Sequence, residues 1–332
     1  MKSSKKPLIS VVLPTYNVAQ YLQQCLESVA AQTYRNIEVI IIIDGATDGS
    51  YEIAQEFCKT DSRFAVYWQE NAGSGPARNA GLAHCKGEFV MFVDPDDWIE
   101  AELLEKLYEA QSEGDYDLVA STRIKVEYDS KGQVKKIKPQ HLADETFVGQ
   151  DAVRHAYMQM LRTGVVSNPT QKLFKLSLIR QHQVEFPLLK RSQDIVFNYR
   201  YYSFIQSLRL ISYSGYNYRY MPTQLAGKSP ADYCKTISFL FNDIQSMYQS
   251  WGIAFPEQEM CDWFFRARIY TWLQIAVAQE GSIHGLLDDT VIRHIVQTAK
   301  PSAPYLKITQ RLALSSSYKT LRLFIKLILF IK

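Results

Sequence analysis

Features that the sequence lacks exclude several classes of protein. The five cysteines of the 332-residue chain are scattered and form no Cys-x-x-Cys pair, which excludes a disulfide framework or cysteine zinc site and favours a reducing compartment. No stretch reaches the ~20 apolar residues that a membrane span needs, and the short basic start lacks a signal-peptide pattern. A net charge of +3 is too small to argue for nucleic acid. We therefore predict a cytoplasmic protein with no nucleic-acid partner.

The composition and the pattern along the chain indicate a globular protein of two parts. A hydrophobic content of 47% is enough for a sizeable core. Over roughly the first 110 residues, short apolar runs alternate with helical segments, which is typical of a doubly wound α/β sheet with mostly parallel strands. From about residue 229 the pattern becomes helical throughout. We predict a first domain over residues 1–225 and a helical region over 226–332.

A polar or acidic residue stands at the tip of each strand in the alternating part. Four apolar runs, 9–13, 37–43, 64–68 and 89–93, have the length and composition of buried strands. The polar residues that follow these runs are Thr15, Asn17, Asp44, Asn71, Asp94 and Asp96. Open α/β sheets bind their ligands at the carboxyl ends of their strands. Helix caps explain some of these residues, but not one at every tip.

Residues 87–99 are the most informative stretch. The strand over 89–93 ends in a proline turn that carries Asp94, Asp96 and Asp97. Two acids spaced Asp-x-Asp on a rigid turn can share a hard divalent cation. The alternative is that Asp96 or Asp97 only caps a helix beginning near Trp98, because aspartate is a favoured cap.

The glycine-rich segment over 71–81 is not a dinucleotide-binding loop. Arg78 stands where that fingerprint requires its third glycine, and the segment follows the third strand instead of the first. Gly73 and Gly75 could let the loop approach a ligand, and Arg78 offers a fork to phosphate or carboxylate. The alternative is an ordinary loop and helix start.

In order and spacing, these pieces resemble a known family. The segments that carry the resemblance are VVLPTYN at 11–17, QTYRNIE at 32–38, DGATDGS at 44–50, NAGSGPARNAG at 71–81 and VDPDDW at 93–98. The set is similar to the family 2 glycosyltransferases. The resemblance implies the GT-A fold, a Rossmann-like, mostly parallel sheet flanked by helices that binds a nucleotide sugar.

The resemblance implies a role for the first two strand tips. Asp44 and the first turn would hold the uracil and ribose of a UDP-sugar, with Tyr16 near the base; the residues of that turn are Pro14, Thr15, Tyr16 and Asn17. The chain departs from the family pattern here, because Ile43 replaces the first of two acids before the glycine. The acid that matches the base contact is the second one, so nucleotide binding should survive.

The resemblance also implies roles for the third and fourth tips. Arg78 would lie beside the nucleotide, and Asp94 would approach the ribose or the donor sugar. Asp96 matches the acid that ligates Mn²⁺ or Mg²⁺ on the diphosphate. A divalent cation is therefore the implied cofactor.

Asp194 is the candidate general base. Residues 192–197 match a Glu-Asp-x-x-Phe pattern of the family, with Gln193 in the place of the glutamate. An inverting sugar transfer needs one carboxylate to take the proton from the attacking hydroxyl. Asp194 opens a predicted helix, so capping is again the alternative, and Gln193 cannot act as an acid or base.

The C-terminal stretch, residues 318–332, predicts a basic amphipathic helix. Lys319, Arg322 and Lys326 would share one stripe with apolar residues around the rest, which suits the interface of an anionic membrane. The alternative is a helix docked on the helical region or on a second subunit.

These observations predict a metal-dependent, inverting glycosyltransferase. The resemblance implies that it moves a hexose or N-acetylhexosamine from a UDP-sugar to a glycan or lipid-linked saccharide in cell-surface polysaccharide synthesis. Residues 318–332 would give it peripheral contact with the inner face of the plasma membrane. A nucleotidyltransferase would show a glycine-rich basic signature after the first strand, which is absent here. A catalytically silent sugar-nucleotide-binding or scaffold protein stays open as the alternative, because Ile43 and Gln193 replace acids.

Overall fold

The computed structural model describes residues 6–221 and 230–331, and the chain divides into two compact units, Met1–Pro222 and Thr223–Lys332. The described strands of the first unit are β1 (Ile9–Thr15), β2 (Ile37–Asp44), β3 (Phe64–Gln69), β4 (Phe89–Phe92), β5 (Trp98–Ile99), β6 (Leu118–Tyr128), β7 (Val134–Pro139), β8 (Glu145–Val148), β9 (Lys172–Lys175) and β10 (Ser207–Tyr220). Its helices are α1 (Ala19–Ala30), α2 (Ser50–Thr60), α3 (Ser74–His84), α4 (Leu103–Gly114), α5 (Gln150–Thr163), α6 (Leu176–Gln181) and α7 (Gln193–Tyr202).

The first half of the sheet is the parallel block that the sequence predicts. Strands β3, β2, β1 and β4 lie side by side in this order, and all their pairings are parallel. Every residue of β1 and β4 is buried. Helices cover both faces of such a block, so its strands are continuous apolar runs. The carboxyl ends of all four strands therefore meet at one edge.

The second half of the sheet is mixed, because β9 runs antiparallel between β4 and β6. Strand β10 then pairs parallel with β6 and antiparallel with β5 and β8, and β7 forms a hairpin on β6. The reversed β9 brings the chain segment just before it to the same edge as the carboxyl end of β4, where Thr170 bridges to Phe92. Strands from distant parts of the chain thus contribute to one edge.

Close packing of α3 on β1 depends on a glycine of the family motif. A Cβ atom at Gly81 would lie 2.3 Å from a Val12 side-chain carbon, far inside van der Waals contact. Only glycine lets the helix backbone come this close to the strand. This contact fixes the position of the arginine one turn earlier in α3.

The second unit is helical, as the sequence predicts. Its helices are α8 (Pro230–Trp251), α9 (Glu257–Phe264), α10 (Tyr270–Ala278), α11 (Thr290–Thr298), α12 (Pro304–Leu314) and α13 (Tyr318–Ile331), with a π-helical turn over Phe265–Ile269 between α9 and α10. Asp289 caps α11 by accepting hydrogen bonds from the amides of Val291 and Ile292 at 2.9 and 3.0 Å. No helix within residues 6–221 and 230–331 is both long and apolar enough to cross a membrane.

Helix α13 forms over the predicted stretch and is docked on the helical region, one of the alternatives that the sequence left open. It packs on α10 and α12 through Leu321 and Ile325, which are fully buried. The Arg322 guanidinium donates to the carbonyl oxygen of Gly281 at 2.9 Å. The three predicted cations share one stripe, because positions 319, 322 and 326 are three and four residues apart on the helix. Arg322 also serves the docked side, so of these three only Lys319 and Lys326 are exposed.

Candidate active site

The first turn of the site follows β1. Pro14 and Thr15 are buried, whereas the ring of Tyr16 is 50% exposed. Asn17 has a left-handed backbone (φ +49°), a conformation that asparagine tolerates better than most residues. Its side-chain oxygen accepts a hydrogen bond from the Thr47 amide at 2.8 Å. The bond ties the tip of β1 to the loop after β2, and Tyr16 presents an open aromatic face.

Asp44 is the buried acid at the tip of β2. It is 2% exposed, and its carboxylate accepts hydrogen bonds from the Ala72 and Gly73 amides at 2.9 and 2.8 Å and from Gln69 Nε2 at 2.7 Å. A buried carboxylate needs such donors. In this structure Asp44 therefore shapes the loop before α3, and its contact with a nucleotide base stays a prediction.

Arg78 joins two of the predicted site acids. Its NH2 group donates to Asp94 Oδ1 at 2.7 Å and its NH1 group donates to Asp194 Oδ1 at 2.8 Å. The Arg78 side chain is 5% exposed, whereas those of Asp94 and Asp194 are 31% and 32% exposed. The guanidinium also lies over the Phe186 ring, 5.3 Å from its centroid. One buried cation thus holds the acid after β4 and the acid of α7 in a single constellation.

The capping alternatives for the acids are wrong. Helix α4 begins at Leu103, with Glu102 as its N-cap residue and no side-chain cap, because Trp98 and Ile99 form the short strand β5 instead. The N-cap residue of α7 is Ser192, again without a side-chain cap. The three acids are therefore available for other roles.

Asp97 serves as a structural brace. It is 1% exposed, and it accepts hydrogen bonds from the Tyr216 hydroxyl and the Arg219 amide, both at 2.7 Å. Burial, followed by the neighbouring Asp96 and Asp94, raises the pKa of Asp97 well above its usual range. The brace fastens the acidic turn to β10.

Asp96, unlike Asp97, has a carboxylate that is not used in bracing the turn. Its carboxylate accepts no hydrogen bond from another residue among those the structure describes, and only its main-chain oxygen is held, by Arg219 Nε at 2.7 Å. Burial and, next, the charge of Asp94 raise the pKa of Asp96 to about 6. Asp96 therefore offers a ligand carboxylate oxygens that no other described residue bonds.

The sequence reasoning missed Arg219 and Tyr216, which hold the acidic turn. The Arg219 guanidinium lies over the rings of Tyr21, Trp98 and Tyr128, with centroid distances of 4.6, 4.8 and 5.0 Å. The Tyr216 hydroxyl, besides donating to Asp97, accepts from the Asp94 amide at 3.1 Å. The aromatic density of 213–220 was the available signal, but it indicates packing as readily as a brace.

Gln193, which replaces a family acid, has a structural role. With its amide oriented to satisfy both atoms, its oxygen accepts from the Gly75 amide at 3.2 Å and from the Ser74 hydroxyl, and its nitrogen donates to the Leu189 carbonyl at 2.5 Å. The side chain joins the start of α3 to the loop before α7. Here a cleft of about 370 Å³ lies between residues 71–76 and 188–193.

A buried lysine begins strand β9. Lys172 is fully buried, and its ammonium donates to the carbonyls of Asn168 and Thr170 at 2.6 and 3.2 Å. Burial and, next, the charge of Arg123 lower the pKa of Lys172 well below its usual range, while Asp194 opposes this shift. The lysine is thus electrostatically coupled to the candidate base.

A divalent cation would depend on few protein ligands here. No group of three or more histidine, cysteine, aspartate or glutamate side chains in the described part of the chain is arranged to hold a metal. Magnesium sites commonly use one or two carboxylates together with substrate phosphates and water. The open carboxylate of Asp96 suits that arrangement, so the residues fit a cation that arrives with a diphosphate.

Comparison with known proteins places the chain in a family. The family model described as glycosyl transferase family 2 matches residues 10–168. The putative glycosyltransferase EpsH of Bacillus subtilis (strain 168) is 35% identical over 217 residues, which are 64% of this chain and 61% of that protein. Glycosyltransferase GlyG of Streptococcus pneumoniae serotype 4 is 34% identical over 214 residues, 64% of this chain and 70% of the relative. The chain belongs to glycosyl transferase family 2.

Solved structures agree on the fold. The crystal structure of S. aureus TarS 1-349 in complex with UDP aligns with a TM-score of 0.66 at 20% identity, over 96% of this chain and 90% of that one. The mannosyltransferase PcManGT from Pyrobaculum calidifontis, in complex with GDP-Man and Mn²⁺, aligns with a TM-score of 0.51 at 17% identity, over 97% and 86%. The predicted GT-A fold is confirmed. The chain spans 61% of the length of EpsH and 30% of the length of GlyA from S. pneumoniae, which is less than two thirds of each relative.

Proposed function

We propose that the protein is a metal-dependent, inverting glycosyltransferase. It would move a hexose or N-acetylhexosamine from a UDP-sugar to a glycan or lipid-linked saccharide during synthesis of a cell-surface polysaccharide. The single observation that carries the proposal is the ion triad of Arg78 with Asp94 and Asp194, since it brings a strand-tip acid and a candidate base, 100 residues apart in the sequence, to one cation.

The chemistry requires one base and a charged leaving group. The acceptor oxygen forms a bond to the anomeric carbon on the face opposite the diphosphate, while the bond from that carbon to the diphosphate oxygen breaks. The acceptor proton passes to a carboxylate oxygen of Asp194, whose side chain is 32% exposed and so within reach of a ligand. Attack from the opposite face inverts the anomeric centre.

The departing diphosphate carries the negative charge that the site must stabilise. Asp96 would hold Mn²⁺ or Mg²⁺, and a bound cation supplies charge neutralisation to the leaving group. Asp94, directed by Arg78, would face the ribose or donor sugar. Pro14, Thr15, Tyr16, Asn17 and Asp44 would form the base and ribose pocket.

The relatives support the proposed donor and pathway. TarS structures hold UDP and UDP-GlcNAc, which supports a UDP-sugar here. Two further relatives are the putative teichuronic acid biosynthesis glycosyltransferase TuaG and a poly(ribitol-phosphate) beta-glucosyltransferase, which supports a cell-surface polymer as acceptor. The scattered cysteines support the cytoplasm as the compartment.

Calorimetric titration of UDP- and GDP-sugars, with Mn²⁺ and then with EDTA, tests the proposal. We expect one UDP-sugar to bind with Mn²⁺ and to lose most of its affinity in EDTA. Asp96→Asn should weaken binding, whereas Asp194→Asn should keep binding and lose turnover. Asp129→Asn, at a half-buried position on the turn between β6 and β7, is a matched control that should change neither.

Two outcomes would contradict the proposal. A folded protein that binds no nucleotide sugar with metal present is not a transferase of this kind. Donor binding without turnover on any saccharide or lipid-linked acceptor, unaffected by Asp194→Asn, would favour the catalytically silent scaffold.

A further inference from the structure

One face of helix α13 is held by protein and another is open. The buried Leu321 and Ile325 dock the helix on α10 and α12. Leu323, Leu327 and Phe330 are instead 68%, 56% and 90% exposed. Their spacing of four and three residues places them on one helical face. The structure therefore combines the two alternatives that the sequence offered, because a docked helix still presents a large apolar face.

The open face is basic as well as apolar. Lys319 and Lys326 are exposed, and each lies three or four residues from Leu323 along the helix. Helix α12, which precedes α13, has a similar exposed stripe of large apolar and basic residues. Its members are Lys307, Ile308, Arg311 and Leu314.

The charge of this part of the chain is one-sided. Residues 290–332 contain eight lysines and arginines and no aspartate or glutamate. The rest of the chain therefore has 29 of the 37 basic residues and all 34 acids, a net charge of −5, while the whole chain is +3. The net positive charge of the chain thus comes from its last 43 residues.

We infer that the open face of α13 docks the protein on an anionic lipid surface, with the helix axis lying along the membrane. Leucine and phenylalanine would enter the boundary of the acyl chains, while the neighbouring ammonium groups stay among anionic headgroups. A second copy docked through the same face would bring Lys319 and Lys326 against the same two cations. A nucleic acid would leave Phe330 and its neighbours in water. An anionic bilayer satisfies both the apolar and the basic part of the face.

Co-sedimentation of the full chain with vesicles tests this inference. We expect binding to vesicles of phosphatidylcholine with phosphatidylglycerol, little binding to phosphatidylcholine alone, and release by salt. Lys319→Gln together with Lys326→Gln should lower the partition coefficient roughly 25-fold. Leu323→Ser and Phe330→Ser should lower it roughly tenfold each. These side chains are exposed, so the variants should fold.

Matched controls lie on the exposed strand β7. Val134→Ser with Ile137→Ser removes apolar side chains that are 54% and 60% exposed, and Lys135→Gln with Lys136→Gln removes two exposed cations. Both should leave vesicle binding unchanged. The inference does not depend on sugar transfer, because binding of a UDP-sugar is measured without vesicles.

Several results would overturn the inference. One is equal binding of the intact chain to neutral and anionic vesicles, and another is binding to neither. The inference is also overturned if the double variant Leu323→Ser, Phe330→Ser binds anionic vesicles as strongly as the unmodified chain does. If light scattering shows a dimer that these substitutions dissociate, the face is an interface between copies and not a lipid surface.

Discussion

Replacing Arg78 by methionine should uncouple the two acids of the candidate site. Methionine keeps most of the stem but removes the cation that bonds Asp94 at 2.7 Å and Asp194 at 2.8 Å. Losing one partner of a fully buried ion pair costs about 3–5 kcal/mol, while an exposed pair contributes about 0–1 kcal/mol. Because both carboxylates are about one-third exposed, we expect a loss of about 2–3 kcal/mol in the free energy of unfolding.

A double-mutant cycle isolates the pair. Urea unfolding followed by tryptophan fluorescence gives the free energy of unfolding for Arg78→Met, Asp194→Asn and the double variant. We expect a coupling energy of about 1–2 kcal/mol. Arg78→Lys should keep part of this coupling, because an ammonium group cannot bond both carboxylates as the guanidinium fork does.

Arg63 provides the matched control. It forms an ion pair with Asp61 at 2.6 Å, with both side chains partly buried, and it shares no partner with Asp194. Arg63→Met should destabilise the protein without coupling to Asp194→Asn. A coupling energy below about 0.3 kcal/mol between Arg78 and Asp194 would refute the reasoning that one cation organises the site.

Three further predictions concern the turn and the hairpin. Tyr216→Phe removes a hydrogen bond to the buried Asp97 and should lower the free energy of unfolding by about 1.5–3 kcal/mol, measured by urea titration. Arg219→Lys loses the planar stack and the bond to the Asp96 carbonyl, so calorimetry should show roughly tenfold weaker Mn²⁺-dependent donor binding; an unchanged affinity would contradict the brace. Hydrogen bonds from two lysines lower the pKa of Glu127 to about 2. The stabilising effect of ionised Glu127 is therefore present above pH ~4.5 and is lost as the pH falls toward 2. Glu127→Gln should thus remove up to about 1 kcal/mol of pH dependence from the free energy of unfolding over this range, measured by urea titration, because both ion pairs are partly exposed.

The parallel half of the fold is predictable because its signals are local. A nearly continuous apolar run such as 37–43 indicates a strand whose two faces are both covered. The helices between these strands have a clear periodicity. Once the strands are parallel, their tips must share an edge, so the placement of Asp44 and Asp94 follows. The position of Arg78 follows as well, since α3 leads directly into β4.

The remainder depends on contacts that the local sequence does not encode. The four-residue strand β9 is too short for a periodicity to reveal its reversed direction between β4 and β6. The bonds of Asp97 to Tyr216 and Arg219 join residues more than 100 positions apart. The sequence shows three equivalent acids in the turn, and only these distant partners make Asp97 a brace and leave Asp96 open.

The ion triad also limits how the protein can be recombined with its relatives. Arg78 and Asp94 come from one contiguous stretch of chain, whereas Asp194 comes from helix α7, about 100 residues later. A chimera whose inserted segment lacks an acid at the position of Asp194 would leave the NH1 group of the buried Arg78 without its carboxylate partner. We therefore expect a chimera with a crossover between residues 95 and 192 to fold well only when the inserted segment has a carboxylate at the position of Asp194.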